Sequence, residues 1–196
     1  MKPENLQRYQ LFKERYEDQA GEVRLARNVD EVGSAIRQIV SESETKKAIL
    51  APISPEIDSQ VLRLLAAASI AALVLDDEGA PNGTALAKEI SQADVGISSV
   101  SFGIAFTGTI VEITTEDLHR LVSSLPKIHI ALLRASDIVA NLDDAASRLR
   151  AMYQQHPTNC NITFISGPSR TADIEMKLFL GVHGPQESHV IVLDQE

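Results

Sequence analysis

Most of the side chains able to act on a small molecule fall in one late stretch, Asn161 to Pro185, which reads NITFISGPSRTADIEMKLFLGVHGP. It holds the hydroxyls of Ser169 and Thr171, the guanidinium of Arg170, the carboxylates of Asp173 and Glu175, and the imidazole of His183. The apolar run Ile162 to Ile165 predicts a strand that enters a turn at Gly167-Pro168. A helix is expected to start near Ser169 to Thr171 and to stop at Gly181, with a second turn at Gly184-Pro185. Strand, glycine turn and helix start together suit an anion, because the first helical N–H groups have no partners inside the helix. Arg170 would either face such an anion or be held by Asp173 and Glu175, which already bring negative charge to the same end.

On a helix turning about 100° per residue, Asp173 and Lys177 share a polar strip. Glu175 points the opposite way, among Ala172, Met176, Leu178 and Phe179. A carboxylate on an apolar face is costly unless it is paired, protonated or open to a cleft. Glu175 therefore either caps neighbouring N–H groups or serves as a site carboxylate, as acid/base or nucleophile. His183, between two glycines, is either a ligand contact or a turn residue. A second stretch, Phe106-Thr107-Gly108-Thr109, sets a glycine among strand residues, where a backbone or a ligand can come close. Zinc-protease, nucleophile-elbow and phosphate-loop spacings do not occur, and the lone Gly108 and Gly167 make no dinucleotide fingerprint. What remains is Thr107, Gly108, Thr109, Gly167, Ser169, Arg170, Thr171, Asp173, Glu175 and His183. That set of hydroxyls, amides, one cation and two carboxylates suits a small oxyacid or phosphorylated metabolite.

GPSRTADIE followed by HGP resembles the signature of the lactate utilisation protein C family, the LUD domain. The resemblance extends upstream through Ala93-Asp94-Val95-Gly96-Ile97, Thr107-Gly108-Thr109, Arg120-Leu121-Val122 and Leu125-Pro126-Lys127-Ile128-His129-Ile130, and ends in Glu187 to Leu193. It implies a three-layer α/β/α domain with a mostly parallel sheet, similar in fold to the sugar-phosphate isomerase and coenzyme A transferase group. It also implies that Thr107, Gly108 and Thr109 line the pocket. The sequence departs from the family pattern at Phe106, where an acidic residue is usual. It departs again after Ile113, where Thr114-Thr115-Glu116-Asp117 replaces a glycine-rich connection. The implied role is a component of bacterial L-lactate utilisation, in which lactate is oxidised to pyruvate together with iron–sulfur partner proteins. A stand-alone enzyme of the transferase or isomerase type, using Glu175, is the alternative, and a scaffolding role a third. Fold analogy alone does not choose among them.

The elements expected to position these residues follow from periodicity. Leu6, Tyr9, Phe12 and Tyr16 give residues 1–20 an amphipathic helix, packing on its own domain or on another subunit of a homo-oligomer. Residues 21–196 read as a single domain. Asn28 or Asp30, Ser54 with Pro55, and Thr114 or Thr115 are helix starts, and Asn141 to Gln155 reads as a helix with Asp143 and Asp144 in its first turn. Strands are expected near 47–51, 70–75, 94–97, 104–113, 128–133, 162–166 and 189–193. The runs at 47–51 and 70–75 are apolar without alternation, as in a parallel sheet covered on both faces. His129 reads as a core histidine, Arg120 as a surface residue, and Asp76-Asp77-Glu78 as a solvated turn rather than a metal site.

The chain has 196 residues and a net charge of −9, which disfavours nucleic acid and anionic membranes as partners. One cysteine, Cys160, cannot make an internal disulfide or hold an iron–sulfur cluster, so no cofactor is expected in this chain and such clusters are assigned to its partners. With no bilayer-length apolar run and no signal peptide, the expected compartment is the cytoplasm.

Overall fold

A computed structural model describes residues 1–75, 83–156, 158–172 and 178–195. Asp76, Asp77, Glu78, Asp173 and Glu175 lie outside the described residues. The chain forms a three-layer α/β domain around a six-stranded, all-parallel sheet. Its strands are β1 (Glu22–Ala26), β2 (Lys47–Leu50), β3 (Ala71–Val74), β4 (Val95–Ser99), β7 (Ile128–Arg134) and β12 (Glu187–Leu193), in the order β1-β12-β7-β4-β2-β3. Helices α2 (Val29–Glu42) and α3 (Pro55–Ala67) cover one face through Val32, Ile36, Ile39, Val61 and Leu65. The other face is covered by α1 (Pro3–Glu17), α4 (Gly83–Ser91) and α5 (His119–Val122).

A second sheet packs beside α1. It contains β5 (Phe102–Ile104), β6 (Thr109–Thr114), β8 (Ile138–Val139) and β9 (Asn161–Ile165) in the order β8-β5-β6-β9. Phe102, Ile104, Val111 and Val139 on its outer side meet α6 (Leu142–Gln155) at Ala145 and Leu149. The stretch read as one strand over 104–113 is thus two antiparallel strands joined by a turn.

Local chemistry sets the helix starts. Asn28, Ser54 and Asn141 each accept a backbone N–H from three residues on: Glu31, Ile57 and Asp144. Pro55 fills the first helical position, where no N–H is missed. The apolar strip of α1 packs on its own domain, with Tyr9, Phe12 and Tyr16 buried against β1, β7 and β12.

Three further expectations need correction. Neither Thr114 nor Thr115 starts a helix: Thr114 ends β6, and α5 begins at His119 after Leu118, with no side-chain cap. Residues 170–172 and 178–180 are not helical. They form β10 (Arg170–Ala172) and β11 (Leu178–Leu180), an antiparallel pair with Thr171 opposite Phe179. Strand β3 is not covered on both faces. It lies at the sheet edge, with Ala71, Ala72 and Leu73 exposed.

Candidate functional site

The motif residues gather at the amino-terminal ends of the parallel strands, and α1 organises them. Its last turn lies between the β5–β6 turn and the segment after β9. Gln19 donates its side-chain N–H groups to the carbonyls of Arg15, Thr107 (2.9 Å) and Gly108 (3.2 Å). Gly108 has φ +57°, and a Cβ there would overlap the backbone of Arg15 and Tyr16. Gly167 has φ +82°, and a Cβ there would lie 2.5 Å from the Gln19 carbonyl oxygen. Both positions need glycine, for the left-handed backbone and for the passage of α1 and of the turn that follows it. In each case the group that comes close is the chain's own backbone.

Around this contact the hydroxyls pair. Register places Ile110 opposite Ile165 on the antiparallel β6 and β9, and one residue beyond, the Thr109 and Ser166 hydroxyls meet at 2.8 Å. The Tyr16 and Ser188 hydroxyls meet at 2.5 Å, and Tyr16 also hydrogen-bonds the Gly167 backbone. Burial pushes the Tyr16 phenol up to about 12, so it stays protonated and can donate. Thr107 keeps a buried hydroxyl oxygen with no partner among the described residues.

Ser169 is held by its backbone. Its N–H donates to the Pro185 carbonyl at 2.8 Å, and its carbonyl accepts from the Gly181 N–H at 2.9 Å. The same contacts bring Gly184 beside the Ser169 side chain. Arg170 and His183 are exposed, and neither side chain is paired among the described residues. Thr171 enters β10. The structure therefore brings together Thr107, Gly108, Thr109 and Gly167 around α1, and joins Ser169 to the Gly181–Pro185 turn. Phe106, at the departure from the family pattern, is 66% exposed on the same turn. Arg120 is exposed too.

Sequence reasoning missed the polar row behind this surface. Glu112 is buried on β6 and accepts from the Ser123 hydroxyl at 2.6 Å and from Ser98. Ser98 in turn meets His129 Nε2 at 3.0 Å. His129 is read correctly as a core residue, fully buried, although its Nδ1 has no partner among the described residues. Burial, aided by nearby His189, pushes its pKa down to about 4. Burial raises the Glu112 carboxyl above its usual range. The available signal was Glu112 itself, one acid flanked by Val111 and Ile113 in an apolar strand.

A cleft of about 260 Å³ opens at the opposite, carboxyl-terminal ends of β4, β7 and β12, beside the start of α3. Its walls include Val32, Ile57, Val100 and Leu132, and its rim carries Ser99, Ser101 and Arg134. Among the described residues, no cluster of His, Cys, Asp and Glu could hold a metal ion, and no helix is long and apolar enough to cross a membrane.

Comparison with known proteins agrees with the architecture. A crystal structure of a DUF162 family protein from Deinococcus radiodurans superposes with a TM-score of 0.66 at 21% identity, covering 96% of this chain and 98% of that one. Proteins named lactate utilization protein C are similar in sequence. The one from Shouchella clausii is 40% identical over 104 residues, 53% of this chain and 45% of that protein. The one from Bacillus subtilis is 39% identical over 111 residues, 55% of this chain and 46% of that protein. The chain thus spans about half the length of the curated relatives it matches. The family profile of the LUD domain matches residues 9–193, from the first buried tyrosine of α1 to the last residue of β12, and the chain belongs to the LUD domain family.

Proposed function

We propose that this protein is a component of an L-lactate utilisation system and binds a small anionic metabolite at the amino-terminal surface of its parallel sheet. The observation that carries the reading is the family membership over residues 9–193, together with about 40% identity to proteins named for lactate utilisation. The site would use the exposed guanidinium of Arg170 for the anion, the Ser169 hydroxyl and the His183 imidazole to orient it, and the unpartnered Thr107 hydroxyl as a further contact. Arg170 suits this work because its charge is not occupied by a described acid. In this reading Gly108, Thr109 and Gly167 hold the surface in shape through α1 and Ser166. Electron transfer from lactate belongs to iron–sulfur partner proteins, since a lone Cys160 cannot supply the four thiolates a cluster takes. Work in that setting places the chain in the cytoplasm.

Glu175, with Asp173, belongs to the same segment between β10 and β11, and in the alternative reading it acts as acid/base or nucleophile of a stand-alone enzyme. Two assays on one strain and one protein separate the readings. Deleting the gene should abolish growth on L-lactate and spare growth on glucose. The purified chain should contain no stoichiometric iron and should not oxidise lactate without partners. Normal growth of the deletion strain on L-lactate would overturn the proposed role, and turnover by the chain alone would favour the stand-alone enzyme.

A further inference from the structure

We propose that the cleft at the carboxyl-terminal ends of β4, β7 and β12 is a second binding site, taking a short aliphatic monocarboxylate. In open parallel sheets this end, near the point where the winding reverses, is where ligands bind. Here the chain steps outward from β2 to the edge strand β3 and then returns past β2 to β4, so the reversal lies beside the cleft. The cleft divides its chemistry in two. Val32, Ile57, Val100, Leu132 and Leu193 give it an apolar interior, while Ser99, Ser101 and Arg134 form a polar rim.

The charges at the rim favour one anion. Asp137 is paired with Arg148 at 3.1 Å, and Asp194, which follows Leu193, is paired with the Met1 ammonium at 2.9 Å. Arg134 is exposed and has no partner among the described residues, and the hydroxyls of Ser99 and Ser101 are also unengaged. One free guanidinium with two hydroxyls matches one carboxylate. A dianion such as a phosphate monoester would meet a single unpaired cation among the described residues of the rim, with Glu56 and Asp58 in the neighbouring first turn of α3 opposing it. The volume of about 260 Å³ suits a ligand of roughly six to ten non-hydrogen atoms, with its tail on the apolar walls. This site lies at the opposite end of the sheet from Ser169 and Arg170, and the inference does not depend on the lactate reading.

The test is a titration of the full chain, labelled with nitrogen-15, with hexanoate and separately with hexanol, followed by amide NMR. Hexanoate should give saturable shifts at Ser99, Ser101 and Leu193, and hexanol should bind about tenfold more weakly. Arg134→Gln, at an exposed and unpaired position, should keep the amide spectrum otherwise unchanged and weaken hexanoate by about tenfold. Ser99→Phe, which fills the mouth, should remove the shifts. The proposal is overturned by no saturable shift at about 20 mM hexanoate, a concentration well above a millimolar Kd. It is equally overturned if hexanol binds as well as hexanoate, or if Arg134→Gln binds hexanoate as the wild type does.

Discussion

The two ends of the six-stranded sheet are built on opposite plans. At the amino-terminal end the last turn of α1 fills the space, held by Gln19, Tyr16 and the close approach of Gly108 and Gly167, and the groups left over face outward. At the carboxyl-terminal end no described element fills the space between β4, β7 and α3, and a cleft remains among the described residues. The difference shows that a family motif can be largely architectural. Gly108, Thr109 and Gly167 are required where they stand by contacts within the chain, whereas Ser169, Arg170 and His183 on the same surface have side chains free of those contacts.

The largest expected effect tests the closed end. Gly108→Ala places a Cβ on the backbone of α1 at Arg15 and Tyr16, and Gly167→Ala places one on the Gln19 carbonyl just after α1, both at a left-handed φ, so each should lower stability by about 3 kcal/mol, roughly 10 °C in melting temperature. Thermal denaturation followed by circular dichroism reads this. Unchanged melting would mean that these glycines leave room for a ligand rather than for α1.

A second effect comes from His129 and is read from the pH dependence of melting. Its folded pKa of about 4 lies below the ordinary imidazole value of 6.5. The unfolded chain therefore takes up a proton that the folded chain refuses. Stability from this group is full above about 6.5 and is lost as pH falls toward 4, by up to about 3 kcal/mol. His129→Gln should lose less stability than the wild type across that window, and identical pH profiles would show that His129 is not held neutral.

Tyr16→Phe removes the hydroxyl shared with Ser188 and Gly167, and chemical denaturation should show a loss of about 1–2 kcal/mol. Glu112→Gln should change least. Its amide oxygen still accepts from Ser123, and it removes a carboxyl whose ionisation burial opposes, so stability at neutral pH should hold or rise by about 1 kcal/mol. A large loss would show that Glu112 works as a charged group.

What could be read in the sequence was local. Asn28, Ser54 and Asn141 mark helix starts because a side-chain oxygen three residues before an N–H needs no tertiary context. The continuous apolar run of β2 signals a parallel strand for the same reason. What could not be read depends on distant partners. Leu178-Phe179-Leu180 fits a helix stripe as well as a strand, and only its pairing with Arg170–Ala172 decides. Ala71 to Val74 has the composition of an interior strand, but the winding of the sheet puts it at the edge. The polar contact of Tyr16 with Ser188 joins residues 172 apart, and nothing in either segment announces it. Gly108 was legible as a close approach and Gly167 as a turn, though not that α1 and the turn after it are what approach.

The most direct measurement of the central claim is growth on L-lactate of a deletion strain carrying Arg170→Gln or Glu175→Gln, beside the wild-type gene. If the outward groups of the amino-terminal surface bind the metabolite, Arg170→Gln should abolish or severely slow growth while the purified variant melts as the wild type does. Loss of growth with Glu175→Gln at unchanged melting would add that carboxylate to the site. Full growth with Arg170→Gln would contradict the account and move the site away from this surface.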